Sequence, residues 1–532
     1  MNIKKAKEEI KNTIAAYLKK DEYGNYQIPV TNQRPILLIG PPGIGKTAVM
    51  EQIASECNIA LAAYTITHHT RQSAIGLPFI TTRNYGGVEY SVTEYTMSEI
   101  VASVYRTIEE TGLTEGILFI DEINCVSETL AAPMLQFLKE KAFGNHKIPQ
   151  GFIIVAAGNP PEYNKSARDF DIATLDRLRQ IHVKENYSVW KEYAYKQNIH
   201  DAIITYLDIK KDNFYHIETK VDGTEFVTAR GWEDLSKILH IYEELSLLVE
   251  GDLIYQYVQN RQISKDFHNY YDFYQKYKKE YSMDAILEGV LEEEKYSAAA
   301  MAPFDERLTI IGLLLSKLYG YFRKLYEKDL YVNELYDSLK AVKERLMEAE
   351  ENKAVDGKEW IEERLNHIDE TAALISGLKI DGILDEEIER KNNRIKREQL
   401  SSHLDKAREN SLKKVIQTLY SYKSKIKDEK VREDDAAFQI IKQEFEKEIQ
   451  VRKEWIEKTT DVLRNGFLFM EQAFGESQEM VIFITELTMN YYSSKFIGEY
   501  GSKEYDRYQK DLMFHERHEQ LTNEIDEMLK EL

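Results

Sequence analysis

The sequence predicts an α/β domain built on a parallel sheet, followed by a long all-α region. Three observations lead there. Short, nearly unbroken apolar runs alternate with helical periodicity through the first 187 residues; Ile36–Ile39, Ile117–Ile120 and Ile153–Ala157 are examples. Runs without a polar face belong to strands covered on both sides, the pattern of parallel sheets. The last of the ten prolines is Pro303, and proline is the commonest interruption of helix, so the remainder reads as helical. The third observation is Gly40-Pro41-Pro42-Gly43-Ile44-Gly45-Lys46-Thr47, which fits the phosphate-loop pattern G-x-x-x-x-G-K-[ST].

The elements follow in order. Ile3, Ile10, Ile14, Tyr17 and Leu18 stand at helical spacing, so residues 3–19 open the chain as an amphipathic helix. Asp21 to Gln33 reads as a loop. Ile36–Ile39 is the first strand, and Thr47 to Ser55 the helix after it. The phosphate loop therefore sits at a helix N-terminus, where backbone N–H groups and the helix dipole favour an anion. Its glycines let the backbone close on phosphate oxygens, so Gly40 through Ala48 form the candidate nucleotide cradle. Lys46 is placed to reach the β- and γ-phosphates, and Thr47 to hold Mg²⁺. Ile59–Ile66 is the next strand. Ile117–Ile120 follows and ends in Asp121-Glu122; Ile153–Ala157 ends in Gly158-Asn159-Pro160; Ile181–Val183 is a fifth strand. Ligands of such sheets bind beyond the strand C-termini, where Thr47, Asp121 and Asn159 all fall. In a phosphate-loop ATPase Asp121 would order Mg²⁺ there and Glu122 polarise the attacking water, and Asn159, which alone would read as a Gly-Asn-Pro turn residue, can hydrogen-bond water or γ-phosphate.

Beyond residue 187 the strand signal fades. Leu335, Leu339, Val342, Leu346 and Ala349 step by four and three, as do Ile361, Leu365, Ile368, Ala372 and Ile375, and Leu412, Val415, Leu419, Tyr422 and Ile426. Asp356-Gly357 and Asp381-Gly382 read as turns between antiparallel helical arms. From Val462 onward aromatic residues return, which predicts a compact helical module.

Together these residues resemble the AAA+ ATPases, and within them the MoxR-like group, over residues 28–245. The carriers are GPPGIGKT, ILFIDEIN (117–124), VAAGNP (155–160), LDRLR (175–179) and TARGWEDL (228–235). The resemblance implies a core over 1–187 and a helical lid over 188–320; beyond them the heptads predict a coiled-coil-like arm over 321–460 and the returning aromatics a helical module over 461–532. The resemblance makes Asn159 the first sensor, Arg230 the second sensor on the lid, and Arg177 the arginine finger of a neighbouring subunit. Arg179 and Arg168 compete with Arg177 for that role. Lys141 to Gln150 matches the hairpin before the sensor strand, and His68 to Pro78 a loop facing a central pore. The pore-side loop lacks the aromatic–apolar–Gly triplet of threading unfoldases. The implied activity is hydrolysis of ATP with Mg²⁺ in a homo-oligomeric, hexameric ring. The ring would remodel a protein client, of which a von Willebrand factor A-type protein is the candidate.

Composition limits the alternatives. The net charge of −21 argues against nucleic acid as the dominant partner, although a nucleic-acid-directed motor of a restriction or defence assembly is the second reading. Two cysteines, Cys57 and Cys125, build no disulfide framework and fit a reducing, cytoplasmic setting. The charged opening MNIKKAKEEIKN lacks the apolar core of a signal peptide, and no apolar run approaches a membrane span. His68-His69 lacks the companions of a metal site, Cys125 lacks a base, and KNNRIKR (391–397) reads as a solvated, ion-paired helix face.

Overall fold

The computed structural model describes residues 1–510 except 69–70, 165, 221–222, 291, 357–378, 401–405 and 432. The chain divides into two compact units. The first is built from Met1–Tyr193, Lys211–Lys265 and residues 396–400, the second from Ala194–Lys210, Asp266–Ile395 and the helices after residue 405.

The first unit begins with α1 (Ile3–Leu18), β1 (Ile36–Ile39), α2 (Lys46–Cys57), β2 (Ala60–Thr65) and α3 (Arg71–Ile75). A hairpin follows, β3 (Pro78–Tyr85) and β4 (Val88–Tyr95), then α4 (Glu99–Thr111), β5 (Gly116–Asp121) and α5 (Glu128–Glu140). A second, short hairpin, β6 (Ala142–Phe143) and β7 (His146–Lys147), leads to β8 (Phe152–Gly158), α6 (Ile172–Leu175), β9 (Arg179–His182) and α7 (Tyr187–Lys196). Five strands form one sheet in the order β2-β5-β8-β1-β9, and every pairing in it is parallel.

Alternation along each strand serves two cores. Leu37, Leu118, Ile120, Ile154 and Ala156 face one layer with Ile100, Val104, Leu130 and Phe137 from α4 and α5. Ile36, Leu38, Ile117, Phe119, Ile153 and Val155 face the other, with Ile10, Ile14, Met50 and Ile53 from α1 and α2. With both faces covered, no strand keeps a polar side, which is why these runs read as unbroken apolar segments. Each aliphatic side chain buried this way contributes roughly 1.5–3 kcal/mol.

The order of strands makes a switch point. From β1 the chain moves to the far edge at β2, returns through β5 to β8 beside β1, and then crosses to β9 on the other flank. The loop after β1 therefore opens into the crevice where connections diverge, the place where open parallel sheets bind ligands.

After α8 (Asp201–Ile209) the first unit resumes with β10 (His216–Lys220), β11 (Gly223–Val227), α9 (Ala229–Glu244) and α10 (Gly251–Tyr257). The stretch 188–320 is thus not wholly helical. The antiparallel β10–β11 ladder carries Thr, Glu and His without an apolar alternation, so the sequence pattern did not reveal it.

The second unit is helical among its described residues. It comprises α8, α11 (Arg261–Glu280) beyond its first turn, α12 (Met283–Leu287), α13 (Glu293–Met301), α14 (Phe304–Asp356), α15 (Lys379–Leu400), α16 (Lys406–Asp428), α17 (Asp434–Phe474), α18 (Gln478–Met489) and α19 (Tyr491–Tyr500). Leu335, Leu339 and Val342 on α14 and Leu412, Val415, Leu419, Tyr422 and Ile426 on α16 are buried, and α14 packs against both α16 and α17. The ladder from Ile361 to Ile375 and Gly357 lie outside the described residues. Asp381-Gly382 is a correction: it lies inside α15 rather than in a turn. Ile380, Leu384 and Ile388 are buried at helical spacing, and the Asp434 carboxylate accepts the Ile380 N–H at 3.0 Å, so burial and a cap overrule the Asp-Gly signal.

KNNRIKR is ion-paired but not solvated throughout. Lys391 is 2% exposed and pairs with Glu334 of α14, which Arg394 also reaches at 2.8 Å. Among the described residues no helix is long and apolar enough to cross a membrane.

Candidate functional site

The phosphate loop runs from the end of β1 into α2. Gly45 stands at φ +88° as the cap of α2, and Gly43 at φ +75°; both lie in the left-handed region that glycine enters without strain. Three segments wall the loop. A side chain at Gly40 would meet the Val183 carbonyl at 2.7 Å, just past β9. A side chain at Gly43 would meet Cβ of Thr228 at 3.1 Å and Cβ of Arg230 at 3.6 Å. The Tyr215 hydroxyl donates to the Pro42 carbonyl at 3.0 Å.

Burial explains how the last two walls are held. Trp232 on α9 is fully buried, and its indole N–H donates to the carbonyls of Asn213 and Phe214. That fixes the chain immediately before Tyr215. Thr228 caps α9 by accepting the Gly231 N–H at 3.2 Å, so the first turn of α9, with Arg230 exposed on it, stands beside Gly43.

Lys46 lies at the centre. Its ammonium donates to the carbonyls of Gly40 and Pro41, both at 2.8 Å, and to Asn159 Oδ1 at 2.7 Å. Three donors meet three acceptors. Burial lowers its pKa from 10.5 to about 8; Arg230 pushes the same way, while Asp121 and Glu122 oppose.

Thr47 donates its hydroxyl to Asp121 Oδ2 at 3.0 Å, and Asp121 Oδ1 accepts the Glu122 N–H at 2.9 Å. Asp121 is therefore oriented from both sides at the end of β5. Glu122 takes φ +57°, uncommon for a residue with a side chain, and its Oε2 accepts the Thr67 hydroxyl at 2.8 Å. Thr67 follows β2, the neighbour of β5, so sheet order brings the two together.

Asn159 follows β8. Its backbone carbonyl accepts the Asn124 side-chain N–H at 2.7 Å, and Asn124 is 4% exposed. The Asn124 carbonyl in turn accepts the Arg168 N–H at 2.9 Å. Thus Lys46, Thr47, Asp121, Glu122 and Asn159 converge at the C-terminal ends of β1, β5 and β8. Thr67, Asn124, Tyr215 and Thr228 escaped the sequence reading as site residues. Asn124 stands within the DEIN string and Thr228 opens TARGWEDL, so their positions were visible and their roles were not; Thr67 and Tyr215 carry no local signal.

The three arginine candidates separate. Arg179 on β9 is held by α1, donating to the Thr13 hydroxyl and to Glu9 at 2.7 Å. Arg168 lies 3.6 Å from Glu128. Arg177 follows α6, is exposed, and its guanidinium makes no hydrogen bond or salt bridge to a described residue. His68 to Pro78 is not a plain loop: it holds the end of a 3₁₀ turn, α3 and the start of β3, while His69 lies outside the described residues. No group of three or more His, Cys, Asp or Glu side chains fit to hold a metal occurs among the described residues. Burial, with Glu122 and Asp121 adding, pushes the Cys125 thiol up, the wrong direction for a nucleophile.

Residues 35–178 match the AAA domain of the dynein-related subfamily. Together, fold and match support a nucleotide-binding AAA+ P-loop domain over that segment. No curated protein matches the chain. Among solved structures, a crystal structure described as a "putative ATPase" from Cytophaga hutchinsonii ATCC 33406 is 18% identical, over 34% of this chain and 50% of its own, with a TM-score of 0.21. The chain thus spans about half the length of that protein, and a TM-score of this size establishes no common overall fold.

Proposed function

We propose that the chain is a MoxR-like AAA+ ATPase that hydrolyses ATP between neighbouring copies in a ring and uses the cycle to remodel a protein client. The observation that carries the reading is the convergence of Lys46, Thr47, Asp121, Glu122 and Asn159 at three adjacent parallel strand ends, beside a phosphate loop at a switch point. The subgroup, a hexameric ring and a von Willebrand factor A-type client rest on the resemblance of the DEIN, GNP and LDRLR strings.

Each residue has a task that its surroundings suit. The loop N–H groups and Lys46 hold the phosphates. The Thr47 hydroxyl and Asp121 carboxylate, 3.0 Å apart, are the hard oxygen donors that Mg²⁺ prefers, and they would hold it. When bound, Mg²⁺ neutralises charge on the phosphate oxygens. Glu122 accepts a proton from the attacking water. Its backbone is left-handed at the strand end, and the Thr67 hydroxyl steadies one carboxylate oxygen. Asn159 offers its amide to the water or the γ-phosphate, and Arg230 approaches from the first turn of α9. Arg177, exposed and with its guanidinium in no hydrogen bond or salt bridge to a described residue, though its charge acts on Asp171, is the arginine best suited to complete a neighbour's site.

The test is ATP binding and phosphate release measured side by side. Glu122→Gln keeps nucleotide affinity and loses at least about 10²-fold in turnover, because an amide is a poor base. Lys46→Ala loses binding itself. Wild-type turnover in Glu122→Gln contradicts the assignment of the base.

A further inference from the structure

Asn124 holds a position that the proposed reaction does not by itself require. It lies two residues beyond Glu122, it is 4% exposed, and its side chain meets the end of β8. Its Nδ2 donates to the Asn159 carbonyl at 2.7 Å; only the amide nitrogen can meet that acceptor, so the carboxamide is oriented. Its Oδ1 fills the space where Gly158 has no side chain, since a Cβ there would lie 2.5 Å from it. Its backbone carbonyl accepts the Arg168 N–H, and the next residue, Cys125, accepts from Asn164 Nδ2 at 3.1 Å.

We propose that Asn124 is a positioning residue that joins the Glu122 loop to the Asn159 loop, so that the two respond to nucleotide as one body. The physical route is short. Asn159 Oδ1 is bonded to the Lys46 ammonium, the group aimed at the phosphates. Movement of Asn159 toward a γ-phosphate carries its own carbonyl, and that carbonyl pulls on a buried amide fixed two residues from the catalytic carboxylate. A buried amide that loses its acceptor meets no water in exchange, so breaking the link is costlier than moving both loops together. Asn164 and Arg168, which precede Arg177, bond to Cys125 and Asn124 and shift with them. The inference rests on the ATPase reading above.

The experiment compares Asn124→Ala, Asn124→Asp and Gly158→Ala in the full chain. It measures affinity for a fluorescent ADP analogue and steady-state ATP turnover. Asn124→Asp keeps the volume and puts a carboxylate against a carbonyl. Gly158→Ala drives a methyl into the carboxamide. All three keep nucleotide affinity within about threefold and lose about tenfold or more in turnover. Nucleotide binding also certifies that each variant has folded. Joining Gly158→Ala to Asn124→Ala costs little beyond either alone, because both break one link. Turnover within twofold of wild type in Asn124→Asp, an equal loss of affinity and turnover, or additive losses in the double variant would each overturn the proposal. Failure of the wild type to hydrolyse ATP would instead remove the underlying reading. A wild type that turns over, a dead Glu122→Gln and a normal Asn124→Asp would remove this inference alone.

Discussion

Lys46 shows how one residue's burial sets its chemistry. Desolvation, helped by Arg230, brings its pKa to about 8 against 10.5 for the free group. A lysine so lowered binds fewer protons folded than unfolded. Its cost to stability is present in full below pH 8 and fades as pH rises toward 10.5. A triphosphate favours the charged form, so binding draws a proton back. At pH 8.5, calorimetry in two buffers of different ionisation enthalpy should therefore report proton uptake on nucleotide binding, and affinity should weaken as pH climbs past about 8. Lys46→Arg, whose guanidinium stays charged, should show no uptake at this site. Equal heats for the wild type in both buffers contradict the lowered pKa. The loop, Asp121, Glu122 and Asn159 were legible because each combines a telling residue type with a place at the end of an apolar run. Thr67 was not. A threonine hydroxyl gains meaning only once β2 lies beside β5, and that is a fact of sheet order rather than of spacing.

Among elements, the five sheet strands were readable because two-sided burial leaves them without polar residues. The β3–β4 hairpin was not, because Phe79, Ile80, Tyr85, Val88 and Tyr90 stay exposed and no buried face imposes alternation. Its turn was visible in retrospect: Gly86-Gly87, at φ +64° and +88°, is the two-residue connection of a hairpin. In the helical unit, Asp381-Gly382 misled because local turn chemistry yielded to the buried face of α15. What fixes α15 on α14 can be tested. Burial raises the pKa of Glu334, but Lys391 and Arg394 outweigh it and hold the carboxyl below its ordinary value. The contribution is complete above pH 4.5 and is lost as pH falls through the lower folded value. Glu334→Ala removes the nearer partner of the Lys391 ammonium, 2% exposed, and leaves Glu387 at 3.7 Å to face it. It should cost roughly 1–3 kcal/mol in denaturant unfolding of the helical unit. Glu334→Leu with Lys391→Met should recover most of that loss. A single variant as stable as the wild type would mean that the pair does not hold these helices together.

For the whole molecule, the absence of proline after Pro303 announced long helices, and α14 and α17 run for 53 and 41 residues. Which helices pair was beyond the pattern, because heptads mark a seam but do not name its partner. The same limit applied to the arginines. LDRLR holds two candidates, and only the contact of Arg179 with Glu9 and Thr13 sets Arg177 apart. In the proposed ring, one chain binds the nucleotide and a neighbour's Arg177 completes the site for turnover. Arg177→Ala should keep nucleotide binding and lose about 10³-fold or more in rate, since a finger's charge matters most as the phosphoryl group moves. The most direct measurement is ATP turnover after mixing Arg177→Ala chains with Lys46→Ala chains, each inactive alone. Where an intact Arg177 meets an intact phosphate loop across an interface, one complete site forms, so the mixture should regain activity. A mixture of Lys46→Ala chains with chains carrying both lesions should regain none. No recovery from subunits shown to exchange, or full turnover by a wild type that stays monomeric with ATP, would contradict the claim.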